Sequence, residues 1–580
     1  MTIFTFDDSL LLGQVREVDT RNVSIFVRTD EDLRKAHVSQ LVAVKLCAPE
    51  SWLIGIIVKV RKSIVIQKES VELPEGEDSG TNKTEDGMAE TVVNTVRLTL
   101  VGTVRWDAVK SRTTFSRSLT QVPEIDSECY ILRYAQLEIF MGILSEEGDK
   151  AHSLELGKYT IDESATAYLD GNKLFQRHAA LLGSTGSGKS WAVASILERA
   201  AKLPSANLIV FDLHGEYRKL TYARHLRIPG PDELGNDSKE LLYLPYWLLN
   251  AEEMQAMFID RSEFSAHNQV MVFQDAVIKQ KKETLQKYGK TEVLNAFTLD
   301  SPIPYSLDLV LNELKSMNEE MVQGARGLKQ GDFFGQFNRL LTRIRSKLND
   351  KRYGFLFQAP NSEHEYDSMS RSAAKLMDYH IPGVQIKAID FSEVPADILP
   401  VIVGLVARII YQIQFWTDHD NRRPLAFICD EAHLYLPKKE GKNPVEQRAV
   451  EAFEKIAKEG RKYGVALMIV SQRPSDVSET ILSQCNNVIA LRLTNADDQN
   501  TVRKLMPESL ESLLEVLPIM DIGEALVVGD AVLLPSRIIV NEPNEKPDSA
   551  TIDIWTKWME KVQAPDFAKS VENMRRQGRN

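Results

Sequence analysis

The chain has 580 residues, 43% of them hydrophobic and 26% charged, which is apolar material for two to four cored domains and reads as a soluble globular protein. Its net charge of −12 argues against a surface coated for phosphate binding, yet leaves room for nucleic acid held in a locally basic internal channel. Cys47, Cys129, Cys429 and Cys485 stand alone, with neither metal-site spacing nor a disulfide framework, and read as small core residues of a reducing compartment.

The start carries no basic region ahead of an apolar one, so no secretory signal is read and the cytoplasm is the expected location. No membrane association is expected either: the most apolar helical run, residues 399–411, contains Arg408 and is too short to span a bilayer.

In chain order, short β-branched runs at residues 11–15, 23–27, 41–46 and 53–60 predict a small barrel or sandwich over residues 1–150. Residues 72–90 turn acidic and rich in Gly, Ser and Thr, which reads as a loop within it. Strands resume at 95–104, with closure expected near Ile143 and Leu144.

Residues 151–237 begin a nucleotide-binding core. After the apolar run 179–182 comes Gly183-Ser184-Thr185-Gly186-Ser187-Gly188-Lys189-Ser190, which satisfies G-x-x-x-x-G-K-[ST], and Trp191 then leads into a helix. Glycines let the backbone aim N–H groups at phosphate oxygens, Lys189 adds a full positive charge, and Ser190 offers a hydroxyl to Mg²⁺. Residues 183–191 are therefore the candidate nucleotide contacts.

The strand 208–212 ends in Asp212, followed by His214 and Glu216; Asp212 or Glu216 is a candidate for assisting the metal or water, and His214 a packing residue. Residues 238–377 read as a helical insertion, and 378–541 as the second part of the core, where buried strands alternate with helices in a mostly parallel sheet. Residues 542–580 form a polar tail.

An ATPase needs carboxylates near the phosphates, and the strand 425–429 delivers Asp430 and Glu431 at its carboxyl end. Gln472, after another buried strand, has an amide suited to sensing the γ-phosphate. Arg461 ends the helix after the acidic pair, and Arg177 precedes the phosphate-loop strand; each suits either a phosphoryl contact or a structural cation.

These motifs, with Ile389-Asp390-Phe391-Ser392 and Ser471-Gln472-Arg473-Pro474, resemble the HerA family of hexameric DNA-pumping ATPases, in the HerA/FtsK group of RecA-like P-loop proteins. The resemblance implies an α/β RecA-like core behind an N-terminal β-barrel, ATP and Mg²⁺ as cofactors, and a homo-hexamer with nucleotide between subunits. By it, Lys189 and Ser190 take phosphate and Mg²⁺, with Asp430 beside the metal. Glu431 activates water, Gln472 is the sensor, and Arg461 reaches in from the adjacent protomer with Arg177 a second interface arginine.

Double-stranded DNA would pass through the ring, gripped by cations such as Arg218, Lys219, Lys438, Lys439 and Lys442. The family's partners are NurA-type and other nucleases or sirtuin-type NAD-consuming proteins, some in anti-phage defence, and the barrel is the expected docking surface. The reading is an ATP-driven translocase or helicase motor. Its alternative is a ring scaffold that regulates a partner enzyme through ATP binding.

Overall fold

The alternation along Leu11–Asp19 and Asn22–Val27 puts Leu12, Val15, Val23, Ile25 and Val27 on one buried face. In the computed structural model, which describes residues 3–47, 51–68, 88–108, 111–119, 121–147, 153–260, 262–324, 327–378, 385–438, 444–549, 553–560 and 567–576, that face lines a barrel. Asn22–Val27 pairs with Leu11–Asp19 on one side and with Met88–Asp107 on the other, closing six strands into a ring. A seventh, Arg112–Ser116, is added outside on Met88–Asp107.

The last strand of the ring is Glu128–Ile131, so closure comes before the point expected from sequence. Ile143 and Leu144 lie instead in the helix Tyr134–Glu147. Of the acidic stretch 72–90, positions 72–87 lie outside the described residues, and 88–90 open the strand Met88–Asp107 rather than continuing a loop.

By contacts the chain forms two units, one of Met1–Leu174 with Val488–Asn541, the other of Phe175–Asn487 with Glu542–Asn580. In the first, Ser153–Tyr159 and Asp162–Asp170 form a hairpin that pairs with Ser536–Val540, which in turn pairs with Glu524–Gly529.

The second unit is built on a parallel sheet in the order Ala223–Arg227, Ile386–Asp390, Leu208–Asp212, Leu425–Cys429, Val465–Ser471, Ala179–Leu182. The five strands after the first are buried at every position, because helices cover both faces of such a sheet. Each fully buried Val, Leu or Ile contributes about 1.5–3 kcal/mol. Phe211 sits among Phe391, Phe427, Tyr435 and Phe453, with ring centroids 5.2–6.5 Å away.

The helix Leu399–Trp416 runs longer than the sequence pattern predicts, and by length and composition alone could cross a membrane. Two-thirds of it is buried in the protein. It packs on Pro444–Glu459 so closely that a Cβ at Gly404 would lie 2.9 Å from the Ala449 Cα. Its Arg408 donates to both carboxylate oxygens of buried Glu253 at 2.8 Å.

Residues 238–377 are mainly helical, the longest helix being Ala266–Lys287, with a small hairpin of Met321–Gly324 and Gly327–Gln330. The tail carries two short helices, Ile554–Met559 and Ala568–Arg576, with Trp555 and Trp558 exposed.

Candidate active site

Parallel strands present their carboxyl ends along one edge, and Ala179–Leu182 delivers the phosphate loop there. Gly186 and Gly188 take φ of 73° and 102°, values that cost a side-chain-bearing residue strain and let the loop wrap back on itself. The Ser187 N–H donates to the Ser184 carbonyl at 3.1 Å, and the Gly183 N–H ties the loop to the Ser471 carbonyl at 3.2 Å. Lys189 and Ser190 open the helix Lys189–Ala201, with the Lys189 ammonium 3.4 Å from the Ser184 carbonyl it donates to. Thr185 donates its hydroxyl to the Gln472 side-chain oxygen, so the loop and the end of Val465–Ser471 meet directly.

Three carboxylates converge on this loop. Glu216 Oε2 accepts from the Ser190 hydroxyl at 2.9 Å, Asp430 Oδ2 accepts from the Tyr217 hydroxyl at 3.0 Å, and Glu431 Oε2 is buried 3.2 Å from His433 Nδ1 without a hydrogen bond of proper geometry. Glu431 itself has a φ of 45°, unusual for a residue with a side chain and often found at functional sites.

Asp212 behaves differently. Its Oδ1 accepts from the backbone N–H groups of His214, Gly215 and Glu216 at 2.7–3.2 Å, and its Oδ2 from that of Tyr217 at 3.0 Å. Asp212 thus shapes the loop that carries Glu216 and Tyr217, and it is Glu216 that reaches Ser190. His214 is exposed. Tyr217 and His433 end two of the stretches that carry the HerA resemblance, 212–217 and 428–433, yet nothing in the sequence assigns either a role.

The electrostatics are those of a cation seat. Burial, then Glu431 and Glu216 alongside, pushes the Asp430 carboxyl up to about 8. Burial also raises Glu431, against the pull of Lys189, and lowers Lys189, against the pull of Glu431, Asp430 and Glu216. One buried ammonium against three carboxylates leaves an excess of negative charge that a divalent cation would neutralise, so the residues fit Mg²⁺. Ser190, Glu216 and Asp430 are the groups that would hold it. Among the described residues no cluster of three His, Cys, Asp or Glu forms a metal cage, consistent with a cation that takes several of its ligands from water and phosphate.

Arg177 and Arg461 lie elsewhere. Both are exposed and precede strands, Arg177 ahead of Ala179–Leu182 and Arg461 ahead of Val465–Ser471, which puts them at the amino edge of the sheet, opposite the phosphate loop. Between them sits buried His178, with a φ of 52°, whose Nε2 bonds the Ala457 carbonyl at 3.1 Å while Nδ1 accepts from the Leu467 N–H at 2.9 Å.

The candidate channel cations are engaged with acids. Arg218 donates to Asp390 at 2.6 Å and to Ser392 at 3.0 Å, Lys219 pairs with Asp548 at 2.9 Å, and Lys438 lies 3.7 Å from Glu479. Lys439 and Lys442 lie outside the described residues. A cavity of about 1600 Å³ opens in the first unit, and none of these residues lines it.

Comparison with known proteins bears directly on this arrangement. The helicase HerA central domain matches residues 154–410, and the helicase HerA-like C-terminal domain residues 405–536. The chain belongs to the HerA family. The DNA double-strand break repair helicase HerA of Pyrococcus furiosus is 26% identical over 424 residues, spanning 66% of this chain and 69% of its own. A probable helicase of Methanocaldococcus jannaschii is 24% identical over 422 residues, 70% of each chain.

Among solved structures, VirB4 of Thermoanaerobacter pseudethanolicus aligns with a TM-score of 0.42 and 16% identity over 68% of this chain and 98% of its own. The plasmid coupling protein TrwB with ADP and Mg²⁺ aligns with a TM-score of 0.42 and 14% identity over 69% and 92%. As a HerA-family member with a complete phosphate loop, the chain has a P-loop NTPase core and is an ATP hydrolase that uses ATP and Mg²⁺.

Proposed function

We propose that this HerA-family chain is a DNA-translocating motor that acts in the cytoplasm as a six-membered ring. The observation that carries the reading is the separation of its charges. The phosphate loop, Asp430 and Glu431 occupy one edge of the sheet, while Arg177 and Arg461 stand exposed at the other. A cation at the far edge serves a phosphate only if a second copy presents its loop there, and repetition of that head-to-tail contact closes a ring.

In each site Lys189 and the loop amides hold the phosphates. Glu431 orients the attacking water and takes its proton as the water oxygen bonds to phosphorus and the bond to the bridging oxygen breaks. Mg²⁺, when bound, neutralises charge on the phosphate oxygens. Gln472, joined to Thr185, is placed to register that change and pass it on, and Arg461 from the neighbouring copy stabilises the charge that builds. Arg218 and Lys219 are assigned to holding their own loop, and Lys438, Lys439 and Lys442 to the DNA backbone.

The partner is an effector enzyme docked on the barrel, a nuclease or a sirtuin-type NAD-consuming protein, in anti-phage defence or DNA-end processing. The test is ATP turnover and duplex-DNA translocation by the parent and by Glu431→Gln. Turnover stimulated by duplex DNA, and lost with partner activation in Glu431→Gln, supports the motor. Partner activation that survives without turnover would instead favour a ring scaffold switched by ATP binding.

A further inference from the structure

Residues 542–548, Glu-Pro-Asn-Glu-Lys-Pro-Asp, follow the last strand of the first unit and belong to the second, where they meet the phosphate-loop helix at Glu198 and at Trp191. They also lie beyond both matched helicase domains, which end at residues 410 and 536. Nothing about a tail segment requires it to be ordered, yet this one is pinned at three places. The Asn544 N–H donates to Glu198 Oε2 at 2.8 Å, Glu545 accepts from the Thr221 N–H at 2.6 Å and from its hydroxyl, and the Asp548 N–H donates to the Glu216 carbonyl at 2.6 Å while its carboxylate pairs with Lys219. Pro543 and Pro547 are buried and restrict the backbone between the pins, lowering the entropy lost in holding it.

The middle of this strap meets the site. Lys546, paired with Glu542 of the same strap, places its ammonium 4.8 Å from the ring centre of Trp191, which follows Ser190 directly and remains 37% exposed. The terminal phosphate end of the site is marked by Glu431 and by Gln472 on Thr185, so the nucleoside end of a bound nucleotide leaves past Ser190, over the first turn of the helix. What stands there is a flat indole face, an ammonium donor, and a stiff segment tied to both bordering elements, Lys189–Ala201 and the loop after Leu208–Asp212.

We infer that residues 542–548, with Trp191, form the wall that receives the base and ribose of the nucleotide, Trp191 as the stacking face and Lys546 as the polar donor beside it. The inference rests on the ATPase reading and adds a binding subsite to it. Because Glu216 holds Ser190 by its side chain and Asp548 by its carbonyl, the strap is joined to the phosphate end of the site through a single residue.

The test is calorimetric titration of the full chain with Mg·ADP, which has a base, and with Mg·tripolyphosphate, which has none. In Trp191→Leu the ADP dissociation constant is expected to rise about tenfold, as loss of one stacked base face implies, and in Lys546→Met about threefold. Tripolyphosphate binding should stay within about twofold of the parent in both, and Trp191→Phe should recover most of the ADP affinity.

ADP binding within about twofold of the parent in both variants overturns the inference, as does a parallel loss for both probes, which would mean a disturbed loop. Phe and Leu at position 191 behaving alike overturns the stacking role. A parent chain that binds neither probe removes the ATPase reading itself.

Discussion

The Tyr217 hydroxyl donates to Asp430 across 3.0 Å, joining the loop after one core strand to the acidic pair at the end of its neighbour. Both groups are buried, and burial beside Asp430, Glu216 and Asp212 holds the phenol far above its ordinary range, so it remains a donor at any working pH. The bond fixes which way the Asp430 carboxylate faces. Tyr217→Phe should raise the Mg²⁺ concentration for half-maximal ATP turnover and lower turnover by about tenfold, the scale of one lost hydrogen bond to a buried carboxylate. A variant that melts earlier but keeps the parent's Mg²⁺ dependence would make the bond merely structural.

The placement of Arg461 at the edge opposite the loop makes a stoichiometric prediction. Arg461→Ala should assemble normally and hydrolyse ATP at least about a hundredfold more slowly. Mixed with Glu431→Gln, it should regain turnover, because some interfaces then combine an intact arginine with an intact glutamate. Turnover that stays at the single-variant level at every mixing ratio would show that the arginine does not serve its neighbour.

His178 predicts a pH dependence of stability. Burial, opposed by its bond to the Ala457 carbonyl and reinforced by Arg461, lowers its pKa from 6.5 to about 4. Between those values the unfolded chain binds more protons at this position than the folded one. Its contribution to stability therefore grows as pH rises through 4 to 6.5 and is lost on acidification, at up to about 1.4 kcal/mol per pH unit. Measured between pH 5 and 7, the stability of His178→Asn should fall less steeply on acidification than that of the parent; equal slopes would assign the acid sensitivity to other groups.

Phe211 is fully buried and touches four aromatic rings under the site. Phe211→Ala should cost about 3–5 kcal/mol, read as a lower denaturation midpoint of the second unit. A loss below about 1 kcal/mol would mean that the surrounding rings collapse into the space.

Local chemistry was legible in the sequence and long-range partnership was not. The phosphate loop announces itself because its glycines, lysine and serine must sit at fixed offsets to wrap a phosphate, and Asp430 and Glu431 follow from the apolar strand before them. Asp212 could be placed at a strand end, but nothing in its neighbourhood tells whether its oxygens face outward or gather four amides of their own loop. Tyr217 and Asp430 are 213 positions apart, and no spacing rule joins them.

Ile143 and Leu144 were misplaced because a short apolar run suits a strand and a buried helix face equally. The two units were hidden for a related reason. Val488–Asn541 contains buried strands like those of the ATPase core, and only their contacts give them to the other unit.

That exchange of segments orders events during synthesis. Each unit is made of two stretches separated by part of the other, so the polypeptide emerging from the ribosome completes neither before residues 488–541 have followed. Residues 542–548 come later still, which means that a nascent chain can shape its phosphate loop well before it has the means to enclose what the loop will hold.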